Sequence, residues 1–174
     1  MDLTAREFWL LFHLGVSVVY LHAFITGLAE VRLGAQRNRL LAGTAIMALV
    51  AWLTVISGTW FVYPGYRAEP SSESAQLQDY PQYYLEEHHN LAYWHEFGME
   101  WKEHVGWLSP ILATAVAFIV VRYGPRLVEA GREQRNLRWM LAVLFTVAFL
   151  AAAVSGALGA FINVVAPNTF LDLG

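Results

Sequence analysis

The chain contains no cysteine. That alone excludes disulfides, thiolate metal sites, iron–sulfur clusters and covalent c-type haem attachment. Charge is scarce too: Asp, Glu, Lys and Arg make up 14% of the 174 residues, against about 25% in a soluble domain. The formal net charge of -3 gives no reason to expect a nucleic-acid partner. No glycine-rich phosphate loop and no nucleophile–base pairing is visible, so a hydrolase or ATPase reading has nothing to rest on.

What is present is apolar. The sequence is 57% hydrophobic, with a mean hydropathy of +0.41. Four stretches reach the roughly 20 residues a bilayer crossing needs: Glu7–Ala29, Leu40–Tyr63, His104–Val121 and Leu137–Val165. The expected fold is all-α, an integral-membrane four-helix bundle. The first stretch is expected to be a span rather than a cleaved leader. Its flank MDLTARE is not basic, and VRLGAQRNR follows it without a small-residue cleavage site.

Cations set the expected orientation. Arg32, Arg37 and Arg39 follow the first span, and Arg122, Arg126, Arg132, Arg135 and Arg138 flank the link between the third and fourth. The 64–103 segment has only Arg67 and Lys102 against eight acidic residues. The positive-inside rule puts the basic loops in the cytoplasm of a bacterial cell, with both termini and residues 64–103 outside the inner membrane.

Aromatics Trp60, Phe61, Tyr63 and Tyr66 close the second span as an interfacial belt, and Pro64-Gly65 is expected to stop it. RAEPSSESAQ then reads as a mobile polar stretch. DYPQYYLEEHHNLAYWHEFGMEWKEH is expected to form an outer-face amphipathic helix, lying on the surface or running into the third span, with Pro110 marking a kink or first turn. At helical spacing His89, Tyr93, Glu96, Glu100 and Glu103/His104 form one stripe. His88, Leu91, Ala92, His95 and Met99 form the other.

The two halves echo one another. Gln36-Arg37-Asn38 recurs as Gln134-Arg135-Asn136, and Ser57-Gly58 as Ser155-Gly156, both at an offset of 98. His13-Leu14-Gly15 corresponds to His104-Val105-Gly106, the second inner loop being seven residues longer. Two parallel helical-hairpin repeats are therefore expected, related by an axis along the membrane normal. Such symmetry would set His13 and His104 at equivalent depths. Two imidazoles facing across a bundle are what the axial bonds of a b haem require, and the glycine two residues on could clear space for a flat macrocycle. The alternative is that both histidines are polar packing residues.

Other candidates are open to two uses. His22 points roughly half a turn away from His13 and has no histidine partner; it could bond a carbonyl, approach a quinone or ligate with a partner from another subunit. Arg67 could meet a haem propionate or a neighbouring glutamate. His88, His89, His95 and Glu96 could hold zinc or copper, or simply form a solvated acidic face. The tryptophans read mostly as interfacial anchors.

The H-x-G helix, basic loop and S-G helix, taken twice and ending in Ser155-Gly156-Ala157-Leu158-Gly159-Ala160, resemble small bacterial four-helix membrane proteins of unassigned function. The design is also similar to b-type cytochrome subunits that pass electrons between quinol and periplasmic carriers. That resemblance implies one haem b, held by His13 and His104, in a redox or accessory subunit of an electron-transfer complex. Its partners would be the lipid bilayer, other membrane subunits and a periplasmic cytochrome. The four-histidine, two-haem arrangement is absent. A cofactor-free structural or assembly subunit, and a periplasmic-face metal-binding membrane protein, are the competing expectations.

Overall fold

The computed structural model describes residues 4–33, 36–70, 77 and 80–165, and all regular structure among them is helical. Four long helices are apolar enough to cross a membrane. The first, α1 (Ala5–Leu33), opens on a capping arrangement in which the Thr4 N–H and hydroxyl both donate to Glu7. The second, α2 (Arg37–Ser57), does not stop at Pro64-Gly65 as expected. It passes through a π-turn, Gly58–Val62, into a last α-turn, α3 (Tyr63–Tyr66). Proline is tolerated there because Pro64 falls in the first turn of α3, where the N–H it lacks is not required for the α-helical ladder. Most of the stretch expected to be mobile, and both chain ends, lie outside the described residues.

The expected amphipathic helix is divided. α4 (Pro81–Glu87) breaks at His88, whose backbone is extended, and α5 (His89–Glu100) comes next. α5 then runs through a second π-turn, Trp101–Val105, towards α6 (Leu108–Leu127), with Pro110 in the first turn of α6. The segment thus feeds into the third long helix. α7 (Arg132–Val165) completes the set. Arg138 caps the end of α6 by donating to the Leu127 carbonyl at 2.6 Å.

The long helices pack in a ring, α1 on α2, α2 on α6, α6 on α7 and α7 back on α1. The ring closes on Phe145, Met47, Leu40, Leu141, Val116 and Val120, all fully buried. Where Gly27 and Gly43 cross, α1 and α2 approach closely: a Cβ on Gly43 would lie 3.1 Å from the Gly27 Cα. The Tyr20 hydroxyl donates to the Ala148 carbonyl at 3.1 Å and accepts from Ser109 at 2.7 Å, tying α1, α6 and α7 at one level. Trp52 donates to Thr114 at 3.0 Å and joins α2 to α6.

α4 and α5 sit over one end of the ring, here the head end; the arginines gather at the other, basic end. A small second core of Leu85, Met99 and Ile162 holds the head to α7. Leu91, His95 and Met99 turn inward and His89, Tyr93, Glu96 and Glu100 outward, so α5 keeps the two stripes legible in its sequence.

Candidate functional site at the head end

Both π-turns lie at the head end, and the polar side chains concentrate around them. A π-turn adds a residue to the helix and re-aims the side chains beyond it, and such turns gather at functional sites.

The first group centres on His13. Its Nδ1 lies 2.9 Å from Ser57 Oγ, whose own proton is donated to the Thr54 carbonyl at 3.1 Å. The hydroxyl must therefore accept, which puts the imidazole proton on Nδ1 and leaves Nε2 as an open acceptor. The ring lies flat against the first π-turn: a Cβ on Gly58 would come within 3.0 Å of Cε1. Only glycine lets α2 approach the imidazole so closely.

Lys102, the single lysine of the chain, is the second element. It is half-buried in the second π-turn and runs along α7, with Cδ, Cε and Nζ at 3.9, 3.6 and 3.2 Å from the position of a Gly159 Cβ. Among the described residues it makes no ion pair. Its field reaches the His13 ring. Four residues further on, Gly106 packs under Ser155, whose Oγ is 3.2 Å from its Cβ position. The space beside Gly106 is thus occupied by α7. At Gly15 a Cβ would meet nothing within 4 Å.

Two hydrogen-bond chains then clamp the head to the bundle. In one, Arg67 donates to the Tyr63 hydroxyl at 3.1 Å, and Tyr63 donates to Glu103. In the other, the Tyr66 hydroxyl lies 2.6 Å from His95 Nδ1, while His95 Nε2 faces Glu86 at 3.4 Å and Gln82 donates to Glu86 at 2.8 Å. Because the carboxylate can only accept, Nε2 carries the proton and Nδ1 accepts from the phenol. The order phenol, imidazole, carboxylate is that of a relay (and also of a latch).

The structure does not bring His13 and His104 together. His104 stands in the second π-turn with its side chain 70% exposed, and its Nδ1 is held by the Glu100 carbonyl at 3.1 Å and carboxylate at 3.2 Å. His22 is exposed on the flank of α1. Arg67 is engaged by Tyr63. His88 donates to the Tyr84 carbonyl at 2.7 Å and lies over the Tyr84 ring, while His89 and Glu96 are exposed. Among the described residues no three of His, Asp or Glu converge as metal ligands. Sequence reasoning passed over Ser57, Lys102, Tyr63 and Tyr66 as site residues. The available signal was that the only lysine stands at the mouth of an apolar run. No protein-family model, no curated protein and no solved structure matches the chain.

Proposed function

We propose that the chain crosses a bacterial inner membrane four times as a structural or assembly subunit of a larger membrane complex. The basic end lies in the cytoplasm and the head outside, as the distribution of arginines favours. In this reading the two halves are parallel helical-hairpin repeats, and the π-turns mark the outer interface, where Trp60 and Trp101 anchor depth. One observation carries the function. The head is clamped to the spans by two hydrogen-bond chains while its far side keeps Tyr93, Trp94 and Phe97 exposed at 63%, 37% and 41%. A rigid mount bearing an aromatic face suits docking on other subunits, since aromatic anchors dominate interfaces. Purification from native membranes in mild detergent should give a colourless complex of fixed stoichiometry, lost in a Tyr93→Glu/Phe97→Glu double variant. A chain that purifies alone would overturn the reading.

A second reading keeps the b haem, because each histidine is fixed through Nδ1, His13 by Ser57 and His104 by Glu100. That arrangement leaves Nε2 free, as metal-ligating histidines require. With His104 turned outward, the fellow ligand of each ring would come from a neighbouring subunit. The chain would then pass electrons between quinol, approaching near His22, and a periplasmic cytochrome. A reduced-minus-oxidised spectrum with an alpha band, abolished by His13→Ala and by His104→Ala, is the expected result. A flat spectrum from protein purified out of haem-replete cells removes this reading.

A further inference from the structure

At the basic end, a cavity of about 350 Å³ opens in the α6–α7 hairpin, lined by Ile119, Tyr123, Arg126, Glu133, Gln134 and Leu137. Its chemistry changes along its length. Ile119 and Leu137 supply apolar wall. Arg126 lies seven residues beyond Ile119 on α6, about 10 Å along the axis at 1.5 Å per residue. The rim is polar: one guanidinium, one carboxylate, one phenol and one amide.

The two rim charges have not closed on each other. Arg126 and Glu133 are both exposed, and among the described residues neither enters an ion pair. Opposite charges on one small cavity thus present a donor set and an acceptor set side by side. A simple anion would satisfy Arg126 and be repelled by Glu133, and a simple cation the reverse. A zwitterion satisfies both. Arg122, the other cation nearby, is stacked over the Tyr123 ring at 5.4 Å. The Gln134 amide folds over Gly131, where a Cβ would collide with it, so the loop leaves the rim open.

We propose that this cavity binds a phosphoethanolamine lipid headgroup. The phosphate would take the Arg126 guanidinium and the Tyr123 hydroxyl, the ammonium the Glu133 carboxylate, and an acyl chain the wall of Ile119 and Leu137. The assignment rests on the bilayer reading above, because it needs this end at headgroup depth. Choline lipids offer the same charges but no N–H donors, and glycerol lipids and cardiolipin offer no cation to Glu133.

The full chain is reconstituted into nanodiscs of mixed ethanolamine, choline and glycerol phospholipids, and the lipids it retains are identified by native mass spectrometry. Ethanolamine lipid should be enriched over both others. Glu133→Gln should lower its preference over glycerol lipid by about tenfold, the scale of one lost charge-assisted hydrogen bond. Arg126→Gln should weaken retention of all three. Glycerophosphoethanolamine should compete, and inorganic phosphate should not. Enrichment of glycerol lipid or cardiolipin in the wild type, an unchanged preference in Glu133→Gln, or equal competition by inorganic phosphate overturns the proposal. Resistance of the chain to alkaline extraction from membranes checks the bilayer reading separately, and helical circular dichroism confirms that each variant is folded.

Discussion

Replacing Gly27 with alanine tests the packing that holds the ring together. The added Cβ would sit 2.7 Å from Phe145 Cζ, 3.0 Å from Cε1 and 3.1 Å from the Gly43 carbonyl oxygen. Carbon atoms rest at about 3.5–4.0 Å, so the methyl overlaps the ring by about 1 Å. Neither neighbour yields cheaply. Phe145 is fully buried and lies 6.0 Å from Phe24, and Gly43 contributes backbone, not a rotatable side chain. The helices must part, and overpacking of this kind costs about 1–3 kcal/mol. The helical preference for alanine over glycine returns at most about 1 kcal/mol. A net loss of about 1–2 kcal/mol is expected in steric-trapping or reversible SDS unfolding measurements. Gly15→Ala is the internal control. It makes the same chemical change on the same helix, where the Cβ meets nothing within 4 Å, and should be neutral or stabilising. A Gly27→Ala protein as stable as the wild type, or a Gly15→Ala protein equally damaged, would refute this α1–α2 crossing.

Three further perturbations address the site and its supports. As the only lysine, Lys102 should be the one side-chain amine acylated by a membrane-impermeant reagent added from outside, and Gly159→Ala, which pushes Nζ off α7, should speed that reaction. Labelling only from the cytoplasmic side would reverse the proposed orientation. Tyr66→Phe removes the hydroxyl that meets His95 and should cost the head about 1–2 kcal/mol. Hydrogen exchange across α4 and α5 should quicken by about five- to thirtyfold, with the four long helices unaffected. Tyr20→Phe strips the donor to Ala148 and the acceptor for fully buried Ser109, and should lower global stability by about 1–3 kcal/mol; an unchanged unfolding midpoint would mean that water or lipid already serves these groups.

The long helices were legible because apolar run length is a property of composition, and a bilayer-length helix needs no tertiary information to be recognised. The inward stripe of α5 was legible for a similar reason: Leu91, His95 and Met99 recur at i, i+4 within one uninterrupted helix. The histidine pair was not, and the π-turns supply the physical reason. A residue's facing can be read from its number only while the turn holds 3.6 residues. One inserted residue rotates everything beyond it by about 100°. His13 stands in an unbroken α-helix and reaches Ser57, whereas His104, its counterpart by letter, stands inside the Trp101–Val105 π-turn. Matching H-x-G to H-x-G therefore carries over the order of residues along the chain but not the direction in which they point. At this level Lys102 and Gly106 take the face of the third helix that meets α7, and His104 is left on the outside. Any cofactor or partner chemistry at the head end has to work with what that rotation presents: an ammonium near one imidazole within the ring, and a second imidazole facing away from it.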